Sequence, residues 1–193
     1  LTSGATDFAA GSKLIAGDAL NVTAASLTSA GTLSAAKALS LTSSADLLTS
    51  GTLSAGGALS LDARGALTQN GALDSAGALS LKGGNVTLAN TAIGVAGIRI
   101  EGGAITLTSV ADLRSGAGLD VNSLGALATA GSVSATGDVS FTAATNLTQG
   151  ASLVSGGAVT LDAISGTLTN SGTIDAAFAI TLSGNALTNS AEL

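Results

Sequence analysis

The stretch Leu53-Ser54-Ala55-Gly56-Gly57-Ala58-Leu59-Ser60-Leu61-Asp62-Ala63-Arg64-Gly65-Ala66-Leu67-Thr68-Gln69-Asn70-Gly71-Ala72-Leu73 decides the fold. Its large apolar residues stand at spacings of 6, 2 and 6, and six residues after Leu67 the cycle restarts at Leu73. The set returns as Leu33, Leu39, Leu41 and Leu47, as Leu113, Leu119, Val121 and Leu127, and as Val133, Val139, Phe141 and Leu147. Leu79 and Leu81, then Leu153, Val159 and Leu161, then Ile174, Ile180 and Leu182 continue it as candidate core residues. A unit of about 20 residues cannot bury its apolar side alone. Each must stack on the next, which is the rule of a solenoid.

Taking the first large residue of each coil as a marker, the coils start at Leu14, Leu33, Leu53, Leu73, Ile93, Leu113, Val133, Leu153, Ile174 and Leu193. That is about nine coils of 19 to 21 residues. Leu1 to Phe8 aligns with Leu41 to Leu48, so the chain is expected to open in mid-coil and to be an uncapped segment of a longer shaft. Residues 1–193 are read as one continuous solenoid.

Within a coil the alternation has period two, the period of a strand with one face buried. Leu53 with Ala55, Leu59 with Leu61 and Ala63, and a segment around Leu67 give three short strands, hence an all-β, three-faced parallel β-solenoid. Nine coils at the parallel-strand spacing span roughly 43 Å. Gly56, Gly57, Gly65 and Gly71 fall between the strands, at corners that need positive φ or have little room. A second inward column is expected to hold Ala16, Ala35, Ala55, Ser75, Val95, Ser115, Ala135, Ser155 and Ala176. Ile93, Ile98 and Ile100 run one residue short of the usual spacing and Leu107 restores it, while Leu168 arrives one residue late and Leu187 one early.

Composition narrows the functional classes. Aromatic residues are 2% and charged residues 9%, against roughly 25% charged in ordinary soluble domains. Disordered chains combine low hydrophobicity with high charge, and this one is 46% hydrophobic. A net charge of -6 with six scattered basic residues opposes nucleic acid, heparin-like polyanions and anionic membranes as partners. With no Cys and no His there is no disulfide, no histidine metal site and no serine–histidine–aspartate triad. No apolar run is long enough for a membrane span, and LTSGATDF lacks the features of an export signal.

The candidate chemistry is correspondingly thin. A polysaccharide lyase or hydrolase on this fold would gather carboxylates in a cleft, whereas the twelve here are spread along the chain. Asp62, Glu101 and Asp162 share a column, yet no two occupy adjacent coils, which argues against calcium. Gly116-Ala117-Gly118-Leu119-Asp120-Val121 echoes a calcium-binding nonapeptide only once, where that motif works in tandem. No catalytic residue, cofactor site or metal site is expected. Asn21-Val22-Thr23, Asn85-Val86-Thr87 and Asn146-Leu147-Thr148 fit the glycosylation sequon by chance composition.

Stacking also pairs the charges. Aligned coils set Asp18 beside Lys37, Lys82 between Asp62 and Glu101, and Arg99 beside Asp120, signs that alternate where like charges would repel. These pairs read as guards of register. Asn70 and Asn90, with Asn170 further on, are expected to share a corner as an Asn ladder. An outward column of Asn21, Ser40, Ser60, Ser80, Arg99, Asp120, Ser140, Thr160 and Thr181 offers a hydroxyl face. Ice binding would want regular threonine columns and glycan binding usually wants Trp or Tyr platforms, so that face is the weaker reading.

Leu168-Thr169-Asn170-Ser171-Gly172-Thr173-Ile174-Asp175-Ala176, followed by Ile180-Thr181-Leu182 and Leu187-Thr188-Asn189, resembles the haemagglutinin repeat. Leu67-Thr68-Gln69-Asn70-Gly71-Ala72-Leu73 and the GGALSL and GGAVTL stretches at 56–61 and 156–161 are further copies. This is the repeat of filamentous haemagglutinin and of contact-dependent growth inhibition effectors, both exported by two-partner secretion. The resemblance implies a right-handed parallel β-helix that forms the shaft of a secreted or surface-exposed bacterial adhesin or toxin-delivery protein. It implies roles in cell adhesion, biofilm formation and virulence. It also implies an outer-membrane transporter, engaged through an N-terminal domain missing here, and a receptor on a host or neighbouring cell. The alternative is a solenoid face that binds glycan or ice as a module of its own.

Overall fold

The computed structural model describes residues 2–191, and among them every paired strand is parallel and no helix occurs. One coil shows how the sequence makes the fold. Leu53–Ala55 forms the first wall, Leu59–Ala63 the second and Ala66–Gln69 the third, and Leu73–Ser75 returns to the first wall one layer on. Leu53 pairs with Leu73, Leu59 with Leu79 and Leu61 with Leu81, so like residues lie on like. The first wall is a 9-stranded sheet, and the second and third walls belong to one 16-stranded sheet. Leu20–Ser29, Val159–Asn170 and Ile180–Asn189 run unbroken through the corner that joins those two walls.

The core is a single apolar column inside the three walls. Leu33, Leu39, Leu41, Leu53, Leu59, Leu61, Leu73, Leu79, Leu81, Leu113, Leu119, Val121, Val133, Val139, Phe141, Leu153, Val159, Leu161 and Ile174 are all buried, and Ile180 and Leu182 pack partly buried against its end. Each buried leucine stabilises the stack by roughly 1.5–3 kcal/mol. Hydrogen bonding between coils is the other axial force, since almost every backbone amide of a wall finds a carbonyl in the layer beside it.

Corners are closed by small residues for want of space. Of the two reasons expected for Gly56, Gly57, Gly65 and Gly71, little room is the one that holds, since positive φ is found at Gly11, Gly97 and Gly131 instead. At Gly71 a Cβ would land on the carbonyl oxygen of Gly51, and one on Gly51 would land on that of Gly31. The glycine column exists because successive corners touch backbone to backbone.

Four sequence expectations are corrected where the coil length changes. First, Leu73 pairs with Ala92, and Ala92 with Leu113, so Ala92 holds the inward slot expected for Ile93, which points outward beside Arg114. Second, Gly94 stands where Val95 was expected, paired with Ser75 and Ser115, and Val95 is 54% exposed. Third, the short corner precedes Ile93: strands Leu79–Gly83 and Asn85–Leu88 leave only Gly84 between them. Ile105, not Leu107, pairs with Val86 and so continues the Leu67 column, and the lost length returns in the longer turn at 108–111. Fourth, Phe8 pairs with Ser29, which pairs with Thr49, so it lies one place on from the Leu48 alignment. By contrast the late Leu168 and early Leu187 are matched by a register shift between Ala163 and Thr167. Leu1 and the coil start at Leu193 lie outside the described residues.

Candidate functional site

The second wall presents two outward columns. One runs Asn21, Ser40, Ser60, Ser80, Arg99, Asp120, Ser140, Thr160 and Thr181 in unbroken register, as the spacing predicts. The other runs Thr23, Thr42, Asp62, Lys82, Glu101, Asn122, Thr142, Asp162 and Ser183. The three acids of this column are kept apart, with Lys82 standing between Asp62 and Glu101. Among the described residues no three groups able to ligate a metal are gathered.

The charges pair partly between coils, as the stacking dictates, and partly within a single strand. Lys37 Nζ lies 2.9 Å from Asp18 Oδ1. Arg99 donates from Nη1 to Asp120 Oδ2 at 2.8 Å and from Nε to Glu101 Oε1 at 2.9 Å. The hydrogen bond to Glu101 and then the charges of Glu101 and Asp120 hold the Arg99 guanidinium above its ordinary pKa. Arg114 pairs with Asp112 two residues back on the first wall, with Nε 2.9 Å from Oδ2, and is raised likewise by that hydrogen bond and charge. That pair was missed, because alignment between coils does not reveal a partner within one strand. Lys82 forms no ion pair among the described residues, although Asp62 lies in register beside it; Glu101, its other neighbour, is taken by Arg99.

The third wall carries a feature that reading by large apolar residues overlooks. Thr28, Thr68, Thr87, Thr106, Thr148, Thr169 and Thr188 fall in one outward column, interrupted only by Leu48 and Ala128. The signal was present in the recurring Leu67-Thr68-Gln69, Leu147-Thr148-Gln149 and Leu168-Thr169-Asn170 triplets.

Inside that wall, the next position is a buried polar column. Ser29, Thr49, Gln69, Leu88, Leu107, Thr129, Gln149 and Asn170 follow in register, all buried. Gln149 Nε2 donates to the Ala151 carbonyl at 2.9 Å, and Gln69 Nε2 donates to the carbonyls of Gly71 and of Thr91, the latter at 3.2 Å. The expected Asn ladder is corrected accordingly. Asn70 lies opposite Ala89, and Asn90 reaches back with Nδ2 to the Asn70 carbonyl at 2.9 Å. Asn170 belongs to the buried column, where its Nδ2 donates to Asn189 Oδ1 at 2.7 Å.

Polar side chains at the other corners tie coil to coil in the same way. Ser75 Oγ lies 3.1 Å from the Ala78 carbonyl and 2.9 Å from that of Gly57 in the preceding coil. Asp46 Oδ1 accepts from the Ala66 amide at 2.8 Å, and Asn85 and Asn146, both within sequons, accept from the Ala104 and Thr167 amides at 2.9 and 3.0 Å. The serine satisfies carbonyls, and the acid and asparagines satisfy amides, that the bend of the corner turns away from the ladder.

A groove follows the corner between the second and third walls. One stretch, about 750 Å³, runs from Thr23 past Thr42, Asp62 and Arg64 to Lys82 and Gly84. A second, about 300 Å³, continues from Lys82 past Glu101 to Asn122 and Leu124.

Residues 36–98, about a third of the chain, match a family model described as repeats of unknown function (DUF5649). No curated protein and no solved structure matches the chain.

Proposed function

We propose that this chain is a rigid shaft segment of a secreted or surface-exposed bacterial protein of the two-partner-secretion kind, carrying a distal adhesin or toxin domain away from the cell. The observation that carries this reading is the unbroken column of core and ladder from the first coil to the last, in which each layer touches only its neighbours. Such a body resists bending and scales in length with coil number. The haemagglutinin-repeat resemblance supplies the setting: an outer-membrane transporter as export partner and a receptor on a host or neighbouring cell as the target of the whole protein.

The test is length against surface. Removing residues 33–72 joins Thr32 to Leu73 in register and takes out two coils, roughly 10 Å of shaft at the parallel-strand spacing. In the full-length parent this deletion should change the reach of adhesion or toxin delivery. Replacing Ser60, Ser80, Ser140 and Thr160 with Ala should leave both unchanged. If those substitutions abolish target binding while export persists, the shaft reading fails.

A second reading, a binding face, is favoured by the threonine column of the third wall, whose seven hydroxyls make no hydrogen bond within the described protein. A flat row at about 4.8 Å spacing suits an ordered lattice such as ice. An ice-recrystallisation assay on the wild-type chain and on Thr68→Val with Thr87→Val decides it: inhibition lost on substitution supports the reading, and no inhibition by the wild type ends it.

A further inference from the structure

Of six basic residues, Lys37, Arg99 and Arg114 are held by carboxylates. Arg64 and Lys82 are not, and both line the same groove, although the molecule carries a net charge of -6 and Asp62 stands in register beside Lys82. One coil apart, Arg64 and Lys82 set two positive charges on this stretch of the groove against the single carboxylate of Asp62. Around them Thr23, Thr42, Ser44 and Asp62 offer hydroxyls and acceptors, and the floor is backbone at Gly83 and Gly84. With its continuation past Lys82 to Asn122 the groove crosses six coils, roughly 24 Å at the parallel-strand spacing.

We propose that this corner groove binds a linear acidic glycan, with the carboxylate of one uronic acid residue held by Arg64 and Lys82 and the flanking sugars hydrogen-bonded to Asp62, Thr42 and Ser44. A planar carboxylate matches the fork of Arg64, and Lys82 adds a point charge from the next coil. The groove repeats its polar groups about every 4.8 Å, close to the rise of one pyranose unit and unlike the roughly 3.3 Å of an extended peptide. Between Thr23 and Gly84 its lining holds no apolar side chain larger than alanine, which leaves no pocket for the side chains of a peptide, and the strands beside it already pair on both edges. A nucleic acid would set many phosphates against the net negative charge. One anion site per groove selects a sparsely charged chain in which acidic and neutral sugars alternate.

Calorimetric titration of the full chain tests this, with an oligosaccharide alternating glucuronate and a neutral sugar as probe and its carboxyl-reduced form as control. The probe should bind, and the reduced form should bind roughly tenfold more weakly or less. Arg64→Gln and Lys82→Gln should each weaken binding by roughly tenfold with an unchanged melting curve. Lys13→Gln, which removes an exposed cation on the first wall, should have no effect. The proposal is overturned if the two oligosaccharides bind alike, if Lys13→Gln costs as much as Arg64→Gln, or if the probe fails to bind at millimolar concentration. Tighter capture of duplex DNA than of the probe overturns it as well.

Discussion

The coil from Leu53 to Ala72 and the coils on either side of Ala92 share one cross-section but fill it differently. In the first, leucine occupies the first wall at Leu53 and Leu73, and the inner position of the third wall is polar, at Thr49 and Gln69. Around Ala92 the pattern inverts: alanine takes the first wall, and Leu88 and Leu107 replace the polar residues of the third. The coil from Ala92 to Leu107 thus loses a leucine on one wall and gains one on another, while the coil before it holds leucine at both Leu73 and Leu88 beside the small Ala92 of the next layer. Voids left by one layer are filled by its neighbours, which no single column reveals.

Where both regions agree is the second wall, and the largest effect is expected there. Leu61→Asp and Ile100→Asp each bury an unpaired charge in a fully enclosed position and should abolish cooperative folding, whereas Ser60→Asp should leave the melting curve intact. Leu61→Ala should cost about 2–5 kcal/mol by lost burial and a cavity. Denaturant titration checks all four, and equal midpoints for Leu61→Asp and Ser60→Asp would refute the inward assignment.

Next in size is the regular corner. Gly71→Ala sets a Cβ against the Gly51 carbonyl and should destabilise by about 1–3 kcal/mol, while Gly17→Ala, with nothing near its would-be Cβ, should be neutral or slightly stabilising. Opposite signs in thermal melts are the expected outcome. If both are neutral, corner contact is not what selects glycine.

The polar half of the comparison can be sharpened at Thr49. Its buried hydroxyl has no hydrogen-bond partner among the described residues, unlike the amide of Gln149. Thr49→Val keeps the shape, removes the orphan and should stabilise by roughly 1 kcal/mol. Gln149→Leu should do the reverse, because it strips the Ala151 carbonyl of its donor. A destabilised Thr49→Val would indicate that the hydroxyl is satisfied in solution.

How far the sequence could be read follows from the same contrast. The three walls, the nine-layer stack and the outward column through Ser60 were legible because period two and a steady 20-residue repeat leave no freedom of register. Ile93, Val95 and Leu107 were misplaced because counting by large residues follows size, and in that region size and inwardness part company. One lost residue at Gly84 moved the bulky side chain off the inward slot. The threonine column and the buried amides were illegible for another reason: their residue types are surface types by habit, and only the folded stack supplies the partners, in the same corner and in the next layer, that let Gln69 and Asn170 lie inside. The groove was invisible because Arg64 and Lys82 are neighbours only through stacking, and which acids they leave unpaired is set by side-chain geometry that the alignment of coils does not show.

The smallest effect tests whether the charged central coils owe anything to their ion pairs. Arg99 bridges two carboxylates, one along its own strand and one in the next coil, while the corresponding Ser60 and Ser80 manage with hydroxyls. All three charged groups reach water, Arg99 exposed and Glu101 and Asp120 half-buried, so solvent and salt screen the attraction and side-chain entropy opposes it. Arg99→Gln should therefore leave the melting temperature within scatter at physiological salt. What it removes is a penalty on slipped stacking, because a shifted register would set the acids of adjacent coils side by side. The expected trace is kinetic: slower or more heterogeneous refolding for Arg99→Gln at low salt, recovering as salt screens Glu101 from Asp120. Refolding indistinguishable from wild type at every ionic strength would show that backbone and leucine column fix the register without help from charge.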